Sequence, residues 1–159
     1  MSGFNFKAPA PRRSWTASLA FLADAGAVAL FVAAGRRTHE GSGLAGFSEA
    51  LRPFLIALLV VWLGVFVWQA ITMTRAAEST DALDWRGRAA RRLVSLWPTG
   101  VIVWIVTAGG GLVLRGLGGG GLSGGFPYVT FAVLGALLLG WRLIAFLVRR
   151  RRGATVAAG

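Results

Sequence analysis

Long apolar runs alternate with short polar segments along this chain of 159 residues. Four such runs, each about 20 residues long, cover approximately 15–35, 53–73, 93–114 and 126–148. At ~1.5 Å per residue, an apolar helix of this length crosses the ~30 Å hydrocarbon core of a bilayer. The pattern therefore predicts an all-α fold, an integral membrane bundle of four transmembrane helices within residues 15–148. Residues 1–14 and 149–159 are predicted to be an N-terminal tail and a basic C-terminal tail.

Proline and glycine indicate where these runs begin, bend and end. Pro53 is predicted to lie in the first turn of the second helix, where its missing N–H costs nothing. Pro98 and Gly100 predict a kink near the start of the third helix, and Gly109 to Gly111 are expected to loosen its end. The glycine-dominated segment Gly116 to Gly125 is predicted to be a flexible connector. It lacks the GKS or GKT sequence and the preceding strand that a phosphate-binding loop needs.

The composition excludes several kinds of site. Hydrophobic residues make up 55% of the chain and charged residues 14%, against about 25% charged in soluble domains. The chain has no Cys and one His, His39, so it forms no disulfide, thiolate metal site or multi-His metal centre of its own. No cofactor and no metal are expected.

The positive charge follows the predicted topology. Seventeen Lys and Arg stand against six Asp and Glu, for a net charge of +11. Twelve of the seventeen lie in the N-terminal segment, the second connection and the C-terminal run, and four lie in the first and third connections. Cytoplasmic loops carry the excess of Lys and Arg, so both termini are predicted to be cytoplasmic, in a multi-pass protein of the cell (inner or plasma) membrane. Anionic lipid headgroups, rather than nucleic acid, are the expected partners of this charge.

Two charged residues lie inside the predicted spans. Asp24 is nine residues into the first helix, about 13 Å from its start, and Arg142 is six residues before the end of the fourth, about 9 Å deep. These helices run antiparallel, so the two residues reach similar depths. A lone charge near mid-membrane costs about 2.5 kcal/mol or more. An ion pair between Asp24 and Arg142 is therefore predicted.

Further polar residues fall near the same layer. Gln69 on the second helix and Thr99 in the third complete a predicted buried polar cluster of Asp24, Gln69, Thr99 and Arg142 in the cytoplasmic half of the bundle. Two interpretations stay open. The pair can be structural, fixing the helix register, with snorkelling of Arg142 to the headgroups as a variant of this interpretation. Alternatively, it can be a functional site that relays protons or anions.

Two basic segments are candidate contacts for anions. Arg36, Arg37 and His39 lie at the outer end of the first helix, where they can contact a phosphate or a lipid headgroup. The alternative is a helix end anchored at the interface, because cations suit a helix C-terminus. Arg149 to Arg152 are interpreted as a topology signal and lipid anchor, with partner binding as the alternative.

Six short motifs are distributed over the four runs. They are Asp24, Gly35 to His39, Pro53 with Phe54, Trp97 to Gly100, Phe126 with Pro127, and Gly140 to Arg142. Together they resemble a family of small bacterial and archaeal membrane proteins, the domain of unknown function 3054, over about Ala17 to Val148. The resemblance implies a four-helix membrane protein and brings no activity with it.

These observations lead to three hypotheses about function. The first is a small non-enzymatic membrane protein, similar to a transporter of a small solute or ion, with a buried Asp–Arg pair. The second is an accessory or assembly subunit that docks on other membrane helices or on a second copy. The third, a lipid-modifying enzyme, needs a nucleophile with a base or a set of metal ligands. Within the membrane, Asp24 is the one candidate base, so the enzyme is not favoured.

Overall fold

The computed structural model describes residues 15–36, 44–77 and 94–156. Its helices are α1 Trp15–Arg36, α2 Leu44–Ala77, α3 Val101–Leu117 and α4 Phe126–Val156, with a π-helical turn Leu96–Gly100 leading into α3. Four helices, counting α3 with its turn, are long and apolar enough to cross a membrane. The described ranges contain no strand. The predicted all-α bundle of four membrane-spanning helices is therefore confirmed.

The four helices close into a ring in chain order. Helix α1 packs against α2 and α4, and α3 packs against the same two helices. An even number of crossings would place both ends of the chain on the same side of the membrane. The assignment of that side to the cytoplasm stays a prediction.

Helix α2 starts earlier than the apolar pattern predicts. It begins at Leu44, so Pro53 lies inside the helix and not in its first turn. The prediction was wrong because Glu49 and Arg52 interrupt the apolar run, and a charge marks the edge of the hydrocarbon layer rather than the end of a helix. Both side chains are exposed. The backbone bond that Pro53 removes is tolerated because neighbouring groups can satisfy the freed carbonyl.

Helix α4 also continues beyond the predicted boundary. It passes through the arginine run and ends at Val156, beyond Val148, where the apolar run ends. Arginine is a good helix former, and extending an existing helix costs far less than starting one. Residues 157–159 lie outside the described part of the chain.

The irregular start of the third span lies where Pro98 and Gly100 predict a kink. Trp97 is extended, with φ −121° and ψ 133°, and the Trp97–Pro98 peptide bond is cis. The N–H of Gly100 donates to the carbonyl of Ser95 over 3.1 Å, which closes the wide turn.

The glycine triplet of α3 does not loosen the helix. Helix α3 continues through it to Leu117, so the predicted connector is helical at its first two residues. A Cβ atom added at Gly111 would lie 2.2 Å from Cδ1 of Phe54, and one at Gly110 would lie 3.2 Å from Cβ of Ala57. The triplet therefore allows α3 to pack closely against α2. The prediction that it loosens the end of the helix was wrong.

Two helices bury stripes of residues spaced four apart. The buried stripe of α1 contains Ala20, Asp24, Val28 and Val32, and that of α4 contains Thr130, Leu134, Leu138 and Arg142. Side chains four apart share one face of a helix. The two intramembrane charges consequently occupy core positions of the α1–α4 interface.

Candidate functional site

The centre of the bundle is an ion pair between Asp24 and Arg142. Nη1 of Arg142 donates to Oδ1 of Asp24 over 2.6 Å, and Nη2 donates to Oδ2 over 2.8 Å. Both side chains are 0% exposed. This is the two-pronged geometry in which a guanidinium matches a carboxylate most closely, and it joins α1 to α4.

Two tryptophans complete the coordination of the Asp24 carboxylate. Nε1 of Trp62, on α2, donates to Oδ2 over 3.0 Å, and Nε1 of Trp141, on α4, donates to Oδ1 over 2.9 Å. A carboxylate offers about four lone-pair positions, and four N–H groups take them. Because all four partners are donors, the arrangement fits the ionised carboxylate.

Arg142 is itself held along its length. Nη1 donates to the carbonyl of Leu138 over 2.9 Å, and the guanidinium carbon lies 4.5 Å from the ring centroid of Trp141. A Cβ atom at Gly100 would lie 2.8 Å from Cδ of Arg142. A glycine is therefore what lets the π-helical turn lie against the arginine stem. The buried Nε has no hydrogen-bond partner among the described residues.

The structure brings two members of the predicted polar cluster together and not the other two. Asp24 and Arg142 form the pair described above. No hydrogen bond within the described ranges joins Gln69 or Thr99 to it; Gln69 contributes its backbone carbonyl to a bond from Thr72 Oγ1. At the third span, Gly100 contacts the arginine, one residue after Thr99.

The predicted headgroup or anion contacts stay predictions. Arg37 and His39 lie outside the described residues, as does the side chain of Arg36, which ends α1.

Two kinds of buried residue were not predicted from the sequence: one at the ion pair and one elsewhere in the bundle interior. Trp62 was not assigned to the site, although a Trp within an apolar span needs an acceptor for its N–H when buried, and that requirement was a usable signal. Thr107 on α3 and Thr130 on α4 are also fully buried. Their hydroxyls have no hydrogen-bond partner in the part of the chain that is described.

Substitution of Trp62 by Phe tests the contribution of one donor. Trp62 is 1% exposed, so Trp62→Phe keeps an aromatic ring in place and removes the N–H that Asp24 Oδ2 accepts. A hydrogen bond to a charged group contributes about 1.5–3 kcal/mol, and we expect the free energy of unfolding to fall by that amount. Unfolding in mixed detergent micelles measures it.

The matched control is Trp68→Phe, six residues further along α2, because Trp68 is 68% exposed. We expect this variant to unfold like the unmodified protein. Equal losses in the two variants would contradict a specific role for the Trp62 N–H.

Four apolar helices around a buried Arg–Asp pair define a multi-pass membrane protein of all-helical fold. The family described as protein of unknown function (DUF3054) matches residues 21–145. That match includes both charged residues and most of the chain, which therefore belongs to this family. No curated protein and no solved structure matches the chain.

Proposed function

We propose that this chain is a non-enzymatic accessory or assembly subunit of a larger membrane complex, and that its Asp24–Arg142 pair is a structural clamp. One observation carries the proposal: all four acceptor positions of the Asp24 carboxylate are taken by N–H groups of the protein itself. A carboxylate with no free acceptor position serves to join helices. It has no place for a substrate.

A proton relay through Asp24 has less support from this geometry. A protonated carboxyl must place its O–H against an acceptor, and the four groups that face Asp24 are donors. Both side chains of the pair are 0% exposed. Taking up a proton would therefore disrupt the α1–α4 contact, which is the opposite of what a relay with repeated turnover requires.

The same enclosure argues against a lipid-modifying enzyme. Such an enzyme would need Asp24 as its base, since it is the one buried acidic side chain among the described residues. A general base must come within hydrogen-bond reach of the proton that it removes, and the Trp62 and Trp141 indoles together with the guanidinium occupy that space.

The orientation belongs to the same proposal: both termini in the cytoplasm, and the cell membrane as the location. The twelve-to-four distribution of Lys and Arg supports it, together with the exposed Arg149, Arg150 and Arg151 at the end of α4. Reporter fusions at either terminus should give a cytoplasmic signal. A cytoplasmic signal from a reporter inserted at Gly121 would contradict this orientation.

Transport of a small solute or ion is the second candidate, and a specific observation favours it. The buried hydroxyls of Thr107 and Thr130 have no hydrogen-bond partner among the described residues. Thr130 lies on the same stripe of α4 as Arg142, twelve residues away and thus about 18 Å further along the helix. These hydroxyls are further polar groups in the bundle interior, separated from the ion pair along α4 by the buried Leu134 and Leu138.

Mass spectrometry of native complexes and a flux assay together separate the two candidates. The accessory role predicts a stoichiometric protein partner after extraction from the native membrane in mild detergent. It also predicts no ion flux above empty vesicles when the chain is reconstituted alone. A lone chain that conducts ions above the level of empty vesicles would overturn the proposal in favour of transport.

A further inference from the structure

A groove of about 430 Å³ lies on the outer surface of the bundle, between α4 and the third span. Its walls include Trp104 of α3 and Leu96 of the π-helical turn. Its floor on α4 includes four small residues together with three large apolar ones: Ala132, Gly135, Ala136 and Gly140, and Phe131, Leu139 and Leu143. In a bundle embedded in a bilayer, such a surface faces the lipid.

The groove has the length and chemistry of a hydrocarbon chain. Along α4 it extends from Phe131 to Leu143, which is about 18 Å and close to half of the ~30 Å hydrocarbon core. The residues that line it are apolar, and the one side-chain N–H among them, from Trp104, already donates to the carbonyl of Phe131 over 2.9 Å. The groove therefore offers an occupant contact with carbon and no polar partner.

Arg150 lies beyond the C-terminal end of this groove on α4. Successive residues of a helix are rotated by about 100°, so Arg150 lies on the same face as Leu143 and the middle of the groove, about 10 Å further along α4. Arg149 and Arg151 lie about 100° to either side of that face. Arg150 is exposed, and its long stem can follow the apolar surface while its guanidinium reaches the headgroup layer.

We propose that this groove binds one anionic phospholipid, with an acyl chain against the floor at Ala136 and the phosphate at Arg150. The site is complementary to an anionic phospholipid. The apolar groove suits the acyl chain, and the guanidinium of Arg150, within a basic run, suits the phosphate. A second copy of the chain docked in parallel on this face would bring two such runs together, and like charges repel. The site is independent of the accessory role, since a scaffold and a transporter could both hold such a lipid.

Mass spectrometry from lipid nanodiscs tests the site with defined probes. The protein is placed in nanodiscs of equal phosphatidylglycerol and phosphatidylcholine, released gently, and its retained lipids are counted. We expect one phosphatidylglycerol per chain. Ala136→Leu fills the groove and should abolish this retention, whereas Arg150→Gln removes the cation and should lower the preference for phosphatidylglycerol about fivefold.

Matched controls keep the result specific. Ala70→Leu adds the same bulk to an exposed position of α2, and Arg149→Gln removes the same charge from another face of α4. Both should retain lipid like the unmodified chain. Equal loss in Arg149→Gln and Arg150→Gln, or equal retention of the two lipids by the unmodified protein, would overturn the proposal. A dimer that Ala136→Leu dissolves would overturn it in favour of a second copy.

Discussion

Replacing Asp24 with Asn is expected to lower the free energy of unfolding by about 3–5 kcal/mol, the usual consequence of breaking a buried ion pair by removing one partner. The amide keeps the shape of the carboxylate but not its charge. Its nitrogen donates where the carboxylate accepted, so it faces the N–H groups of Trp62 and Arg142 or those of Trp141 and Arg142, depending on its rotamer. The guanidinium then remains buried without a counter-charge.

Combining the Asp24 and Arg142 substitutions measures the interaction between the two side chains apart from their contacts with other residues. Arg142→Gln alone leaves the carboxylate with two indole donors and should also be strongly destabilised. Asp24→Asn with Arg142→Gln removes both charges, and we expect it to be more stable than either single variant, with a coupling energy of up to about 3 kcal/mol. Unfolding in mixed micelles provides the comparison, with Glu49→Gln as a control. Additive losses would contradict the role of the pair as a clamp.

Replacing Gly111 with Ala is the second substitution with a large expected effect. The new Cβ atom would lie 2.2 Å from Cδ1 of Phe54, which is 1% exposed and has little room to move. The ring of Phe54 also packs edge-on against Phe31 of α1, with centroids 5.4 Å apart, so a shift would disturb two interfaces. Overpacking of this kind costs about 1–3 kcal/mol.

Gly109, in the same turn of α3, provides the control. At Gly109, a Cβ atom would lie 3.7 Å from the nearest atom, Cζ of Phe131, which is an ordinary contact. Alanine is favoured over glycine inside a helix by up to about 1 kcal/mol. Gly109→Ala should therefore unfold no more easily than the unmodified protein. If Gly109→Ala and Gly111→Ala lose equal stability, contact with Phe54 is not the cause.

The spans could be predicted from the sequence because the length of an apolar run is set by the thickness of the bilayer. Helix boundaries could not be predicted equally well. Glu49 and Arg52 interrupt the apolar run, yet α2 starts at Leu44 because its backbone hydrogen bonds do not depend on side-chain polarity. The apolar run ends at Val148, but α4 continues through the arginine run that follows. Hydropathy measures transfer to lipid and does not indicate where a helix stops.

For the residues at the centre of the bundle, the sequence indicates how deep each one lies in the membrane. It does not indicate the direction in which each side chain points. Asp24 and Arg142 could be paired because counting residues along antiparallel helices places them in one layer. Gln69 and Thr99 satisfied the same count, but they make no hydrogen bond to the pair within the described ranges, because depth alone does not determine how a helix is rotated. The role of Gly100 depends on how closely the π-helical turn approaches Arg142, and no local pattern carries such a distance.

The clamp joins residues 118 positions apart in the chain, Asp24 near its beginning and Arg142 near its end. Ribosomes add about 5–20 residues per second, so α1 waits roughly 6–24 s in the membrane before its counter-charge is made. Until then, Asp24 of the nascent protein lacks the guanidinium that pairs with it in the complete bundle. The contact between the first and last helices therefore forms last, and a chain cut short before Arg142 retains Asp24 without its counter-charge.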